Sequence, residues 1–124
     1  MSLRLCDDAA PALGFRPSCD TSGPIDSVVT DRIGTHLLLC LREALSNVAR
    51  HASASSARVV VGVDASLLVL EVVDDGTGYR STSGRPSSGL DNMRVRAEAL
   101  GGSCSIGAGD HGGTRVVWTV PLAT

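Results

Sequence analysis

The most regular pattern in the chain runs from Thr30 to His51, where Ile33, Leu37, Leu38, Leu41, Ala44, Leu45 and Val48 recur every three or four residues. That period lays one apolar stripe along an α-helix. Thr30 or Asp31 stands where a cap for its first turn is needed. Two runs rich in β-branched residues follow, Arg58–Val63 and Leu67–Val73, and the short Asp64-Ala65-Ser66 between them predicts a hairpin. The apolar pattern then stops. Tyr79–Ser88 holds Ser, Thr, Gly, Arg and Pro without a period, which predicts a flexible surface loop. The spacing of Leu90, Met93, Ala97 and Leu100 predicts a second helix over Gly89–Leu100, closed by Gly101-Gly102. Ser103–Gly107 and Thr114–Val120 read as a last hairpin joined across Gly109–Gly113.

Ahead of Thr30 the chain is irregular, with Pro11, Pro17, Pro24 and scattered Gly and Ser. Leu3–Leu13 can hold a short helix and Gly14–Asp20 an edge strand. Residues 1–29 are taken as a lead-in belonging to the same domain as 30–124, with the look of a link to an upstream domain. Helix, hairpin, loop, helix and hairpin in that order predict an α/β fold, a two-layer sandwich with helices on one face of a mixed sheet.

Composition narrows the function. A chain of 124 residues makes one domain. With one Phe, one Trp and one Tyr, the core must come from Val, Leu, Ile and Ala. All 11 basic residues are Arg, a drift of composition, and the net charge is -2 without a basic run. That balance argues against nucleic acid as a partner. Cys6, Cys19, Cys40 and Cys104 form no C-x-x-C pair, so neither a zinc site nor a secretory disulfide framework is expected. Cys40 falls inside the apolar helical run and reads as a small core residue. The longest apolar runs, such as Leu67–Val73, fall far short of the roughly 20 residues of a membrane span. No signal peptide is visible. A cytoplasmic domain with no membrane contact of its own is expected.

Three clusters carry chemistry. In Glu43-x-x-x-Asn47-x-x-Arg50-His51, a carboxylate and an amide stand one helical turn apart. A hydrated magnesium ion takes one or two such oxygens and keeps its waters, while Arg50 and His51 can meet phosphate oxygens. Alone, the cluster is equally a solvated polar helix face. Asp74-Asp75-Gly76-Thr77-Gly78 ends a predicted strand, where two glycines permit a sharp turn and close approach to a ligand. A carboxylate fixed there can accept from an exocyclic amine such as adenine's; in isolation a plain Asp/Gly turn is the commoner meaning. Ser87-Ser88-Gly89-Leu90 opens the second helix, whose free N–H groups and dipole favour phosphate. Taken alone, that feature reads more readily as simple capping by Ser88.

Together these residues resemble the catalytic ATPase domain of bacterial sensor histidine kinases, within the superfamily that includes gyrase B, Hsp90 and MutL. Leu41–Ala52 is similar to the family's N box, Asp74-x-Gly76-x-Gly78 to its G1 box, and Ser88-Gly89-Leu90 to a shortened G2 box. Gly113-Thr114 before the last strand matches a further family feature. The resemblance spans about residues 30–121, with four motifs in order. The N box and Asn92–Gly102 are most similar to kinases paired with response regulators of the NarL type, a group that includes mycobacterial dormancy and oxygen sensors. The resemblance implies a Bergerat-type ATP-binding fold and the ligands ATP and Mg2+. It implies that Asn47 coordinates magnesium and that Glu43 acts through a bound water or polarises the attack. Arg50 and His51 would steady phosphates. Asp74 would fix the adenine amino group, Gly76 and Gly78 would shape the base pocket, and Thr114 would sit near adenine. Ser88, Gly89 and Leu90 would border the phosphates, with Tyr79–Ser88 as the ATP lid.

The lid lacks the fuller G-x-G-x-G pattern and a convincing F box, so looser closure and weaker affinity are expected. In the family the phosphoacceptor histidine lies on a separate dimerisation domain, and the phosphate passes on to the response regulator. Asp31–His36 is a faint match to that acceptor motif, but no acidic residue follows His36 directly and Glu43 of the N box stands seven residues later on the same helix. His36 is therefore expected to be a helix-face residue and His111 a surface one, so the chain would bind ATP without phosphorylating itself. Two other readings remain open. An anti-sigma-factor-like kinase would phosphorylate Ser or Thr on a partner. A degenerate nucleotide-binding module would transfer nothing, even to a competent histidine domain.

Overall fold

The computed structural model describes residues 11, 13–15, 17–22, 29–49, 55–64, 66–76, 88–108 and 113–122. Within them run β1 (Ser18–Ser22), α1 (Asp31–Asn47), β2 (Ala57–Asp64), β3 (Leu67–Asp74), α2 (Ser88–Ala99), β4 (Ser103–Ala108) and β5 (Thr114–Pro121). The strands form one sheet in the order β1-β2-β3-β5-β4. β1 lies parallel to β2 and the remaining neighbours are antiparallel, which makes the sheet mixed.

Thr30 is the cap of α1: its hydroxyl oxygen accepts from the Ile33 N–H at 3.2 Å, and Asp31 adds a favourable negative charge to the first turn. The helix buries Ile33, Leu37, Cys40, Leu41, Ala44 and Leu45. Against that stripe stand alternate residues of the sheet, among them Val59, Val61, Leu70, Val72, Val116 and Val120. Met93 and Ala97 of α2 join the same core, so both helices cover one face. Leu38, expected in the stripe, is only half-buried, while Cys40 is fully buried.

Local chemistry sets the ends of the elements. α1 stops at Asn47, with Val48 and Ala49 continuing in a wider turn. The edge strand expected over Gly14–Asp20 starts later, at Ser18. Gly14 has a φ of 81° and breaks the extended path, and Pro17 has no N–H to give a ladder. Of the helix expected over Leu3–Leu13, only Pro11 and Leu13 are described, both helical, and the rest lies outside the described residues. Ser66 turns the β2–β3 hairpin at a φ of 71°, and its carbonyl accepts from the Leu122 N–H at 2.8 Å. α2 ends as predicted at the glycine pair. Gly101, at φ 81°, donates to the Glu98 carbonyl at 3.0 Å, and Gly102 donates to that of Ala97 at 2.7 Å. These are the two bonds of a Schellman cap. A Cβ on Gly102 would overlap the backbone of Thr119 and Val120, so this glycine also lets the helix end lie against β5.

Candidate functional site

Asp74 is the last residue of β3 and shares the inward parity of Leu68, Leu70 and Val72. It points to the helix side and is only 6% exposed, the one buried charged side chain among the described residues. Its Oδ1 accepts from the Gly76 N–H at 2.9 Å and from the Thr114 N–H at 3.4 Å. A Cβ on Gly113 would overlap the Asp74 carbonyl, so only glycine allows β5 to begin this close. The second and fourth sequence motifs therefore meet at one carboxylate. Both bonds use Oδ1, leaving Oδ2 as the oxygen that can accept from a ligand.

Asp75 has a different role, one that sequence reasoning missed. Its Oδ1 accepts from the N–H groups of Ser55 and Ser56 at 2.8 and 2.9 Å, and its Oδ2 accepts from the Ser55 hydroxyl at 2.7 Å. The Asp75 N–H donates in return to the Ser56 carbonyl at 3.2 Å. These bonds, the Ser55 hydroxyl's foremost and then the backbone N–H groups of Ser56 and Ser55, hold the carboxyl well below the usual aspartate range. Asp75 thus pins the segment entering β2 to the end of β3. The only sequence signal was the doubled Asp: strand alternation turns neighbouring side chains to opposite faces.

Glu43 and Asn47 lie one turn apart on α1, both half-buried, and the Asn47 Nδ2 is shielded from solvent. Thr114 is half-buried beside Asp74. Ser88, Gly89 and Leu90 form the first turn of α2, so Ser88 belongs to the helix and not to the end of the lid. Their side chains lie outside the described residues, as do Arg50, His51, Gly78, Tyr79 and the rest of the lid, and His111. Asp74, Gly76 and Thr114, three of the residues expected around the base, are accordingly brought together. His36 lies on the face of α1 towards α2, its Nδ1 3.2 Å from Nη1 of Arg96.

The sheet's other face carries a cleft of about 430 Å³, lined by Arg58, Glu71, Val73 and Arg115 and reaching Asp74 and Asp75. Both arginines are partly neutralised. Arg115 donates to Glu71 Oε2 at 2.8 Å through Nε and at 2.6 Å through Nη2, and Arg58 lies 3.7 Å from Asp20. Asp74 shares the inward parity of β3, and Glu43 and Asn47 lie on α1, outside the lining of this cleft.

The sequence model for the histidine kinase-, DNA gyrase B- and HSP90-like ATPases matches residues 33–124. The chain belongs to this family. Sensor histidine kinase LiaS of Bacillus subtilis strain 168 is 36% identical over 98 residues, which cover 78% of this chain and 27% of LiaS. Nitrate/nitrite sensor protein NarX of Escherichia coli K12 is 35% identical over 115 residues, 92% of this chain and 19% of NarX. The chain thus spans about a quarter or less of these relatives. The solved ATP-binding domain of PrrB from Mycobacterium tuberculosis superposes with a TM-score of 0.70 at 21% identity, covering 98% of this chain and 90% of that domain. This likeness shows that the two share a fold.

ATP is the nucleotide to which a member of this ATPase family is matched. Among the described residues, no three His, Cys, Asp or Glu side chains gather to hold a metal ion. Magnesium does not need such a cage, because one or two protein oxygens suffice when phosphates and water complete its shell. The half-buried Glu43 and Asn47 fit that role. Among the described residues no helix is long and apolar enough to cross a membrane.

Proposed function

We propose that residues 30–124, with the lead-in as part of the same domain, are the ATP-binding catalytic domain of a two-component sensor histidine kinase. It delivers the γ-phosphate of ATP to a histidine on the dimerisation domain of the same kinase. From there the phosphate passes to a response regulator of the NarL type, in the cytoplasm. The likeness to LiaS and NarX supports this reading, and one observation carries it. Asp74 is a buried carboxylate whose Oδ1 is held by two backbone donors while its Oδ2 remains for a ligand.

In this reading Asp74 Oδ2 accepts from the adenine amino group, with Gly76, Gly78 and Thr114 around the base. The first turn of α2, at Ser88, Gly89 and Leu90, directs backbone N–H groups at the phosphates. Arg50 and His51 add donors from the end of the N box. Asn47 and Glu43 would hold Mg2+, which neutralises phosphate charge when bound. Glu43 also polarises the attacking group. The chain's own share of the chemistry is orientation and charge stabilisation, and the acceptor must come from outside it.

The test is a calorimetric titration of the folded chain with ATP and magnesium, set beside Asp74→Asn. Asparagine keeps Oδ1 as an acceptor for Gly76 and Thr114 but presents an N–H2 where Oδ2 stood, so donor meets donor at adenine. Binding should weaken by about 1–3 kcal/mol. An unchanged dissociation constant refutes the assignment. Transfer to a histidine-bearing dimerisation domain supplied in trans, abolished in Asn47→Ala, completes the test; transfer to serine instead would favour an anti-sigma-factor-like kinase.

A further inference from the structure

His36, Cys40, Glu43 and Asn47 follow one another at three- and four-residue steps along α1, on the side that meets α2. His36 occupies the far end of this line from the proposed magnesium ligands. There its Nδ1 stands 3.2 Å from Nη1 of Arg96, and both side chains are half-buried. A guanidinium only donates and stays cationic. The contact is a hydrogen bond in the tautomer whose Nδ1 carries the lone pair. Cys40 of α1 and Ala97 of α2 are both fully buried. Arg96 lies near enough to Cys40 for its charge to act on the thiol, against the burial that pushes it up to about 12.

We infer that His36 is a positioning residue for nucleotide binding: by accepting from Arg96 it sets the placement of α2, and hence of its phosphate-facing first turn, against the Glu43–Asn47 face of α1. The inference rests on the proposed reading of the site as one for ATP. Apolar packing between the helices is not directional, and the His36–Arg96 contact adds a directional tie between them. His36 and Arg96 touch no nucleotide themselves and act through the helices they join.

The experiment is ATP titration of the 124-residue chain and its variants, with thermal melts in the same buffers to establish that each is folded. His36→Leu favours helix and core but leaves the guanidinium without its ring acceptor. It should bind ATP about three- to tenfold more weakly. His36→Asn, whose Oδ1 reaches the place of Nδ1, should recover affinity to within about twofold of the wild type. Wild-type affinity in His36→Leu, or no recovery in His36→Asn, overturns the inference while the ATP site stands. Absence of binding by the folded wild type overturns the site reading and the inference with it.

Discussion

Two neighbouring carboxylates with opposite duties define the end of β3. Asp74 turns inward, and its geometry depends on a glycine some forty residues along the chain, because any side chain at Gly113 would displace the Asp74 carbonyl. Gly113→Ala should therefore destabilise the fold by about 1–3 kcal/mol, as overpacking does, and should weaken ATP binding by moving the Thr114 N–H off Asp74. Chemical denaturation and titration read the two effects; a variant with wild-type stability would remove the close approach from the account. Asp75 turns outward and holds Ser55 and Ser56. Its folded carboxyl titrates below the ordinary value, so its contribution is complete above about pH 4 and is lost as the pH falls through the folded value. Asp75→Asn should be less stable than the wild type at neutral pH, and the difference should shrink progressively below about pH 4. A pH-independent difference in denaturation midpoints would mean that the charge has no part in the clamp. The placement of Asp74 at a strand end beside a glycine turn was legible in the sequence because carboxylate and glycines are adjacent there. The role of Asp75 was not, since its partners are serines whose significance appears only when β2 and β3 pair.

At the level of elements, the α1 period was legible nearly to the residue, because burial on one face demands it. What periodicity could not supply was how the two helices are tied to the sheet and to each other. Trp118, fully buried on β5, donates through Nε1 to the Met93 carbonyl of α2 at 3.0 Å. This bond ties α2 to β5 of the sheet. Trp118→Phe removes the donor and the outer ring, and should cost about 1–3 kcal/mol from the lost bond and the cavity together. Urea denaturation measures it, and an unchanged midpoint with an unchanged slope would show that the indole anchors nothing. The core was expected from Val, Leu, Ile and Ala, yet Trp118 is its largest fully buried side chain. Its acceptor, a helix carbonyl already inside a helical ladder, carries no sequence signature at all. The His36–Arg96 pair belongs to the same class. Sixty residues separate its members, and each alone looks like a polar residue on a helix surface.

For the whole molecule, the order of motifs was enough to place the chain in its family, but the lead-in resisted reading because proline and glycine break every period there. In the fold the lead-in supplies the edge of the sheet, where β1 runs parallel to β2 with Ser18 opposite Arg58 and Ser22 opposite Gly62. Parallel pairing between strands separated by α1 requires the crossover to pass over the sheet's helix-covered face, so β1 and α1 are bound into one unit. Without β1, the N–H and C=O groups along one side of β2 would lose their partners, and the Val60 and Gly62 region would become an open edge. Such edges recruit other chains. A chain beginning at Thr30 should keep Asp74, Gly76 and Thr114 in place and still bind ATP. It should nevertheless melt lower by about 5 °C or more and self-associate as its concentration rises. Scanning calorimetry with sedimentation velocity separates these outcomes. A truncated chain as stable and monomeric as the full one would mean that β1 is only laid along the sheet, and the domain would then properly begin at the N box helix.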